Sequence, residues 1–273
     1  MKRLLFIPLT LAVLTLLALP PACGRPEESP TPTPDSTPAP VPTPSPPPSP
    51  PAPAPTVELE FDFREGYQGW TAGFAEYKPG MDMQLGAEMR RLPQELEIDG
   101  TGCYLQGMNH SDDLFMFLKL GLGPDEGLAS GQAYRVNFTI VFASNAPSGC
   151  FGIGGAPGES VFLKAGASPI EPEVYLDHEE DYYRVNVDKG DGNSGGGEAA
   201  TTAGHIANGL VCEEVDLQNP PYVSVERRHE HKFAVTASPE GELWLLLGTD
   251  SGFEGLTAIY YQSITVTLEP VEE

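Results

Sequence analysis

The stretch Gly131–Asn145, GQAYRVNFTIVFASN, constrains the fold of this 273-residue chain more than any other segment. Large apolar residues alternate in it with polar or smaller ones, and the apolar set is Tyr134, Val136, Phe138, Ile140 and Phe142. Successive side chains of a strand point to opposite faces, so these five share one face. We therefore predict a central strand of an antiparallel sheet, with one face in a core and the other facing water or a ligand.

Short alternating or apolar runs recur through Val57–Glu273, and turn residues separate them. The runs predicted as strands are Val57–Phe63, Trp70–Tyr77, Leu114–Leu118, Val161–Ala165, Tyr182–Val187, Tyr222–Val225, Phe233–Thr236, Leu243–Leu247 and Ile259–Leu268. Residues 95–106 are predicted to form a hairpin around Asp99-Gly100. Residues 81–93 are predicted as a loop, and residues 199–209 as the site of one short helix that ends at Gly209. About a dozen short strands with little helix predict one all-β domain, an antiparallel, jelly-roll-like β-sandwich or a barrel.

Residues 1–24 are typical of an export signal, because Lys2 and Arg3 precede an apolar run and a small residue stands before Cys23. Residues 19–23, LPPAC, resemble the lipobox of bacterial lipoproteins, and the resemblance implies that Cys23 carries the lipid. The alternative is ordinary cleavage after Gly24 without a lipid. We expect an exported protein of the cell envelope that contacts the membrane only through this lipid, or else is secreted. No later run is long and apolar enough for a membrane helix.

Residues 25–56 contain mostly Pro, Thr, Ser and Ala, a composition that cannot pack a core. We predict a disordered, extended linker that spans up to roughly 90 Å at ~3.1 Å per residue. A docking site for proline-binding modules is the alternative.

The folded part, residues 57–273, is strongly acidic. The chain has 15 Lys and Arg against 39 Asp and Glu, and three of each class precede Val57, so this part carries the whole net charge of −24. Such a surface repels nucleic acid and anionic lipid headgroups, which argues against both as partners. It favours a divalent cation or simply a well-solvated surface.

Three pieces of the folded part resemble jelly-roll carbohydrate-binding modules and galactose-binding-like domains. Leu128–Val136 contains their Gly-x-x-Tyr-x-hydrophobic start of a core strand, residues 61–63 with Gly69-Trp70 are similar to their N-terminal strand, and Ala258–Leu268 is similar to their last strand. The chain as a whole also resembles exported bacterial lipoproteins of unassigned activity. The resemblance implies a jelly-roll fold, often with a structural calcium ion, and a non-catalytic glycan-binding role.

Four residues are candidates for ligand binding. Trp70 and Tyr67 lie beside glycines, so we expect them to be exposed and able to stack on sugar rings, although most aromatic side chains are buried. Arg135 and Asn137 lie on the polar face of the central strand. The expected partner is a carbohydrate or another cell-surface ligand, and the sequence leaves the oligomeric state open.

Oxygen-rich loops suit Ca²⁺, which takes oxygen ligands from loops. Asp112 and Asp113 lie in one such loop and Asp250 in another, and these three are the candidate metal ligands. Turn formation by Asp is the alternative explanation for each loop. Ca²⁺ is the one cofactor that the sequence suggests.

No catalytic residue is predicted. Gly192–Gly196 fits Gly-x-Ser-x-Gly and resembles the nucleophile motif of chymotrypsin-like proteases, but His205 follows Ser194, whereas histidine comes first in that family. A nucleophile elbow also needs a strand before it and a helix after it. His229 and His231 are half of a zinc site if their segment is a strand. Without a recognisable third ligand, we predict a solvated edge or hairpin loop there.

Three cysteines follow the signal, and an exported protein meets oxidising conditions, so one disulfide is expected. Cys150 and Cys212 lie in loop-like contexts whereas Cys103 heads a strand. We predict the pair Cys150–Cys212, and the other pairings stay open.

Three functions are compatible with the sequence. The first is an exported, lipid-anchored, non-catalytic β-sandwich that binds a ligand, for which a glycan is the leading candidate. The second is an extracellular hydrolase with scattered catalytic carboxylates. The third is a purely structural or assembly module.

Overall fold

The central strand forms as its alternation predicts. The structure is a computed structural model that describes residues 54–110, 113–192 and 195–272, and in it the strand runs from Ala133 to Ser144. The five apolar residues of its predicted core face are all buried. Arg135 on the opposite face is exposed, and Asn137, Thr139 and Val141 are half-buried. One face therefore lies in the core and the other remains accessible.

Fourteen strands occur in the described part of the chain. In chain order they are β1 (Val57–Asp62), β2 (Thr71–Ala75), β3 (Gly86–Arg91), β4 (Thr101–Met108), β5 (Leu114–Leu122), β6 (Ala133–Ser144), β7 (Val161–Ser168), β8 (Val174–Asp177), β9 (Tyr182–Val185), β10 (Thr201–His205), β11 (Val223–Glu230), β12 (Val235–Thr236), β13 (Leu243–Ser251) and β14 (Leu256–Pro270). Short 3-10 turns join some of them, at Phe63–Glu65, Gln94–Leu96, Pro124–Glu126 and Cys212–Glu214.

The strands form two antiparallel sheets with the core between them. The first sheet has the order β11-β6-β14-β4-β3, and in it β1 pairs with the C-terminal half of β14 while β12 pairs with the start of β6. The second sheet has the order β10-β7-β13-β5-β2, and β8 and β9 form a separate hairpin. The fold is therefore the predicted all-β antiparallel β-sandwich.

Three local predictions are wrong. Residues 81–93 contain β3, an edge strand whose residues are mostly exposed, so it carries little apolar alternation. The hairpin around Asp99-Gly100 is formed by β3 and β4, because Gln94–Leu96 makes a 3-10 turn where a strand was predicted. Residues 201–205, within the predicted helix, instead form β10 and pair with β7, because tertiary pairing overrides the helix propensity of the alanines in residues 199–209.

The second sheet has an additional layer on its outer face. Residues 169–192 and 195–200, which we call the covering segment, include the β8–β9 hairpin. Val185 and Ala200 of this segment pack against Phe115, Phe117 and Leu246 of the sheet. The covering segment therefore buries a small second core outside the sandwich.

Several sequence predictions concern residues outside the described ranges. These are the export signal, Cys23, the linker up to residue 53, Asp112 and the Asn193-Ser194 pair. Within the described ranges, no helix has the length and apolar character needed to cross a membrane.

Candidate ligand-binding face

The outer face of the first sheet carries three rows of side chains, and we call it the open face. Each row crosses β1, β14, β6 and β11 in register. The rows are Glu58–Thr267–Asn137–Glu230, Glu60–Thr265–Thr139–Arg228 and Asp62–Ser263–Val141–Glu226. Directly opposed residues of neighbouring strands have Cβ atoms about 4.5–5.5 Å apart. The centre of the face is therefore a closely spaced set of uncharged groups, between an acidic edge on β1 and a mixed edge on β11.

Two clefts open on this face and share Thr265. The larger, with a volume of about 720 Å³, lies over Ser263 and Val141 between the turn after β1 and the β3–β4 connection. The smaller, about 320 Å³, includes Asn137 and Thr267 among its lining residues. The two clefts adjoin at Thr265, and we call them together the trough.

The side chains at the centre of the trough have no partner among the described residues. Asn137, Thr139, Thr265 and Thr267 make no side-chain hydrogen bond to any of them. Hydroxyl and amide groups both donate and accept hydrogen bonds. Since these groups are half-buried and unused by the fold, they are available to a ligand that offers hydroxyl groups of its own.

The two edges of the trough are held by local ion pairs. On β1, Asp62 accepts hydrogen bonds from the Arg64 guanidinium, one of them at 2.8 Å, and this contact lowers the pKa of Asp62. On β11, Arg228 Nε donates to Glu226 at 2.9 Å. Asp62 therefore stays an ionised acceptor and holds no proton for general acid catalysis at neutral pH.

Aliphatic side chains form one wall of the larger cleft. Leu92 and the exposed Ile98 lie in the β3–β4 connection. Leu92 also packs with Tyr104 and Tyr260, whose rings lie 4.7 Å apart and are almost fully buried. The trough thus has an apolar wall supported by aromatic rings, although these rings are too buried to serve as a stacking platform themselves.

The structure separates the four predicted ligand-binding residues into two pairs. Arg135 and Asn137 lie on the open face, and Asn137 lines the smaller cleft. Trp70 is only 2% exposed and packs edge-to-face on Phe61, so the expectation that it is exposed is wrong. Tyr67 is half-buried and packs against the main core. The neighbouring glycines of Trp70 form its turn and leave the ring inside the sandwich.

The predicted calcium ligands hold a different cation. Lys189 Nζ donates to Asp250 at 3.2 Å and to Asp113 at 3.3 Å, so an ammonium group occupies the space between these carboxylates. Burial raises the pKa of Asp113 to about 6, despite this lysine. No group of three metal-ligating side chains occurs within the described ranges.

His229 lies near the end of edge strand β11 and His231 directly follows that strand, where a solvated edge or hairpin loop was predicted, but His231 is buried. The Thr201 hydroxyl on β10 contacts His229 Nε2 at 2.8 Å and His231 Nδ1 at 3.0 Å. Burial lowers the pKa of His229 to about 4 and also lowers that of His231. The two neutral histidines and Thr201 therefore link the two sheets, and we call this contact the clasp.

A disulfide joins Cys150 to Cys212 in the loops at one end of the sandwich.

Other clefts lie away from the open face. One of about 710 Å³ lies between the covering segment and β12, and Phe233 and Ile170 are among its lining residues. Another, about 280 Å³, lies beside the disulfide and is lined by the fully exposed Phe151 and by Leu217. Both have a more apolar lining than the trough.

Sequence reasoning identified only part of the trough. The alternation of β14 predicts that Ser263, Thr265 and Thr267 share a face, and that of β6 does the same for Asn137 and Thr139. Nothing in the sequence indicates that these two strands are neighbours in register. The site can therefore be located only when the pairing of β6 with β14 is known, because that pairing brings the two polar faces together.

Comparisons with known proteins give fold-level likenesses only. No family model and no curated protein sequence matches the chain. A structure of carbohydrate-binding modules from the β-sandwich superfamily is 11% identical to this chain. The match covers 78% of this chain and 61% of that chain, at a TM-score of 0.32. A carbohydrate-binding module in complex with β-1,4-galactotriose is 10% identical, covering 75% and 92% at a TM-score of 0.32. A xylan-binding domain from Paenibacillus barcinonensis is 13% identical, covering 80% and 97% at a TM-score of 0.33. Likenesses this distant carry no information on the ligand of this chain.

Proposed function

We propose that this protein is an exported, non-catalytic binding module for a neutral glycan, and that the trough on the open face is its binding site. The observation that carries the proposal is the set of four hydroxyl and amide side chains that no described residue engages. A polysaccharide presents many hydroxyl groups, each of which both donates and accepts hydrogen bonds. It can therefore satisfy the threonine hydroxyls and the Asn137 amide at once.

The charge of the protein favours a neutral glycan over an anionic one. The net charge is −24, and Glu58, Glu60 and Asp62 line the β1 edge of the trough. Polyanionic sugars would be repelled by this edge and by the surface as a whole. Hydroxyl groups of a neutral sugar can instead donate hydrogen bonds to these carboxylates, which strengthens binding through charge-assisted contacts.

Isothermal titration calorimetry of the full chain against neutral and anionic polysaccharides tests the proposal. We expect heat with at least one neutral glycan and none with polyuronates. The double variant Asn137→Ala, Thr265→Ala should weaken that binding at least tenfold, or about 1.4 kcal/mol. Thr71→Ala, an exposed threonine on β2, is the matched control and should bind normally. No heat across the panel, or unchanged binding by the double variant, would refute the proposal.

We further propose that export leaves the chain anchored through a lipid on Cys23, with residues 25–56 as the spacer. The Cys150–Cys212 disulfide supports an oxidising compartment. In a bacterial host, the wild type should partition into the detergent phase on Triton X-114 separation and Cys23→Ser into the aqueous phase. Equal partition of both proteins would contradict lipid anchoring and leave the glycan proposal intact.

A further inference from the structure

The outer face of the second sheet buries two lysines beside one aspartate. Lys164 on β7 is 0% exposed, Asp250 on β13 is 1% exposed and Lys189 of the covering segment is 7% exposed. Lysine and aspartate are rarely buried to this extent unless they are paired. The open-face site makes no use of this cluster, which lies on the other sheet.

Register brings Lys164 close to Asp250. Lys164 lies opposite Gly248, and Asp250 lies two residues further along the same strand and on the same face. Diagonal neighbours of this kind are within reach of a long side chain. Lys164 Nζ lies 3.6 Å from Asp250 Oδ2.

The two lysines have different protonation tendencies. Burial opposes the charge of Lys189, but Asp250 and Asp113 outweigh it and raise the pKa of Lys189, so this residue remains an ammonium ion. Burial lowers the pKa of Lys164, and the attraction of Asp250 does not compensate for it. Lys164 is therefore the lysine that more readily presents a neutral amine with a free lone pair.

We propose that Lys164 and Asp250 become joined by an intramolecular amide bond between Nζ and Cγ. The lone pair of Nζ attacks Cγ, a C–N bond forms, one C–O bond of the carboxyl group breaks, and the oxygen leaves as water. An amine and a carboxylic acid, or equally an ammonium and a carboxylate, give one amide and one water molecule. No oxidant, reductant or cofactor is required.

The neighbouring groups provide what this condensation needs. Lys189 Nζ lies 3.2 and 3.3 Å from the two Asp250 oxygens, where its charge polarises the carboxyl group and stabilises the tetrahedral intermediate. Asp113 contacts the same ammonium at 3.3 Å and helps to hold Lys189 beside the reacting groups. Fixed neighbouring strands supply the proximity that the step requires.

The surroundings favour the amide once it forms. Phe115 lies directly across from Asp250, and its ring stacks on that of Phe117 at 5.1 Å. The covering segment packs over these rings and excludes bulk water from the cluster. A neutral amide also removes the cost of burying a charged carboxylate and ammonium in an apolar site. The bond would lock β7 to β13 and leave the open face unchanged, so it is independent of glycan binding.

Peptide mass spectrometry of the full chain tests the proposal. After denaturation, reduction and trypsin digestion, an amide at Lys164 blocks cleavage there. Peptide 136–184 should then appear joined to peptide 233–273, at the sum of their masses less one water molecule. Tandem spectra should place the link at Lys164 and Asp250.

Variants and alternative products separate the outcomes. Lys164→Met and Asp250→Ala should each abolish the linked species, whereas Lys119→Met, at a lysine of the same sheet paired with Glu171, should retain it. If either variant fails to fold, the wild-type digest still decides. Separate peptides 136–164 and 233–273 in the wild type would overturn the proposal. A link from peptide 185–227, which contains Lys189, would also overturn it, because the wrong lysine would have reacted.

Discussion

The outer face of the first sheet presents uncharged hydroxyl and amide groups to solvent, whereas that of the second sheet buries Lys164 and Asp250 beneath the covering segment, which contributes Lys189. Both faces belong to strands whose other side lies in the same core. The difference arises from the chain between β7 and β10, which folds back over the second sheet, whereas no segment of the described ranges covers the trough in the same way. Side chains on the covered face therefore contribute to stability, whereas those on the open face are accessible to a ligand.

Removal of the Asp250 side chain should affect the covered face most. Asp250→Ala takes away the group that both Lys164 and Lys189 contact and leaves the Lys189 ammonium buried without it, so we expect a loss of about 3–5 kcal/mol in the free energy of unfolding. Thr265→Ala on the open face should change it by less than about 0.5 kcal/mol. Urea denaturation of both variants measures the contrast, and similar losses would show that the two faces do not differ in this way.

A glycine-to-alanine substitution should also destabilise the second sheet more than the first. A Cβ on Gly166 of β7 would fall against the carbonyl oxygen of Ala199 in the covering segment and 2.8 Å from the His231 ring. We expect Gly166→Ala to cost about 1–3 kcal/mol, because backbone must move to admit the methyl group.

Gly86 in the first sheet is the matched position. The nearest atom to its added Cβ is Cγ of the flexible Gln106 side chain, at 3.1 Å. Gly86→Ala should therefore leave the urea midpoint nearly unchanged. Equal midpoints for the two alanine variants would contradict the close fit of the covering segment.

The sequence predicted the first of these faces better than the second. Alternation along β6 and β14 indicated a buried side and a polar side, because a half-buried strand must place apolar residues at every second position. Lys164 and Lys189 gave no such signal. A lysine next to apolar residues in a strand predicts a solvent-facing position, and only the covering segment, which follows β7 in the chain, reverses that expectation.

Other features could not be predicted because they depend on long-range packing. The glycines around Trp70 suggested an exposed ring, but its burial depends on Phe61 in a different strand. The carboxylates of Asp113 and Asp250 suggested calcium because Lys189, their actual cation, is distant from both in sequence. Edge strand β3 has few apolar residues, so its pairing with β4 left little pattern to detect.

Low pH should destabilise the contact that His229 and His231 make between the two sheets. His229 has its pKa lowered from 6.5 to about 4, so between these values the unfolded chain binds more protons than the folded chain. By linkage, this histidine makes stability fall as pH decreases from about 6.5 to 4, by on the order of 1 kcal/mol. His231 contributes in the same direction.

Comparison of variants isolates this contribution from that of Asp113, whose raised pKa acts in the opposite direction. The difference in unfolding free energy between wild type and His229→Gln should shrink or change sign as the pH is lowered from 7 to 5. His178→Gln, at an exposed histidine of the β8–β9 turn, should show a constant difference from wild type. A constant difference for His229→Gln as well would exclude the clasp as a pH-sensitive contact.

The most direct test of the open face as a binding site is amide chemical-shift mapping of the ¹⁵N-labelled chain during titration with the neutral glycan that gives heat in calorimetry. We expect the largest shifts at Asn137, Thr139, Thr265 and Thr267, with small shifts at Lys164 and Asp250. Largest shifts beside Phe151 or Phe233, at the two other clefts, would contradict it.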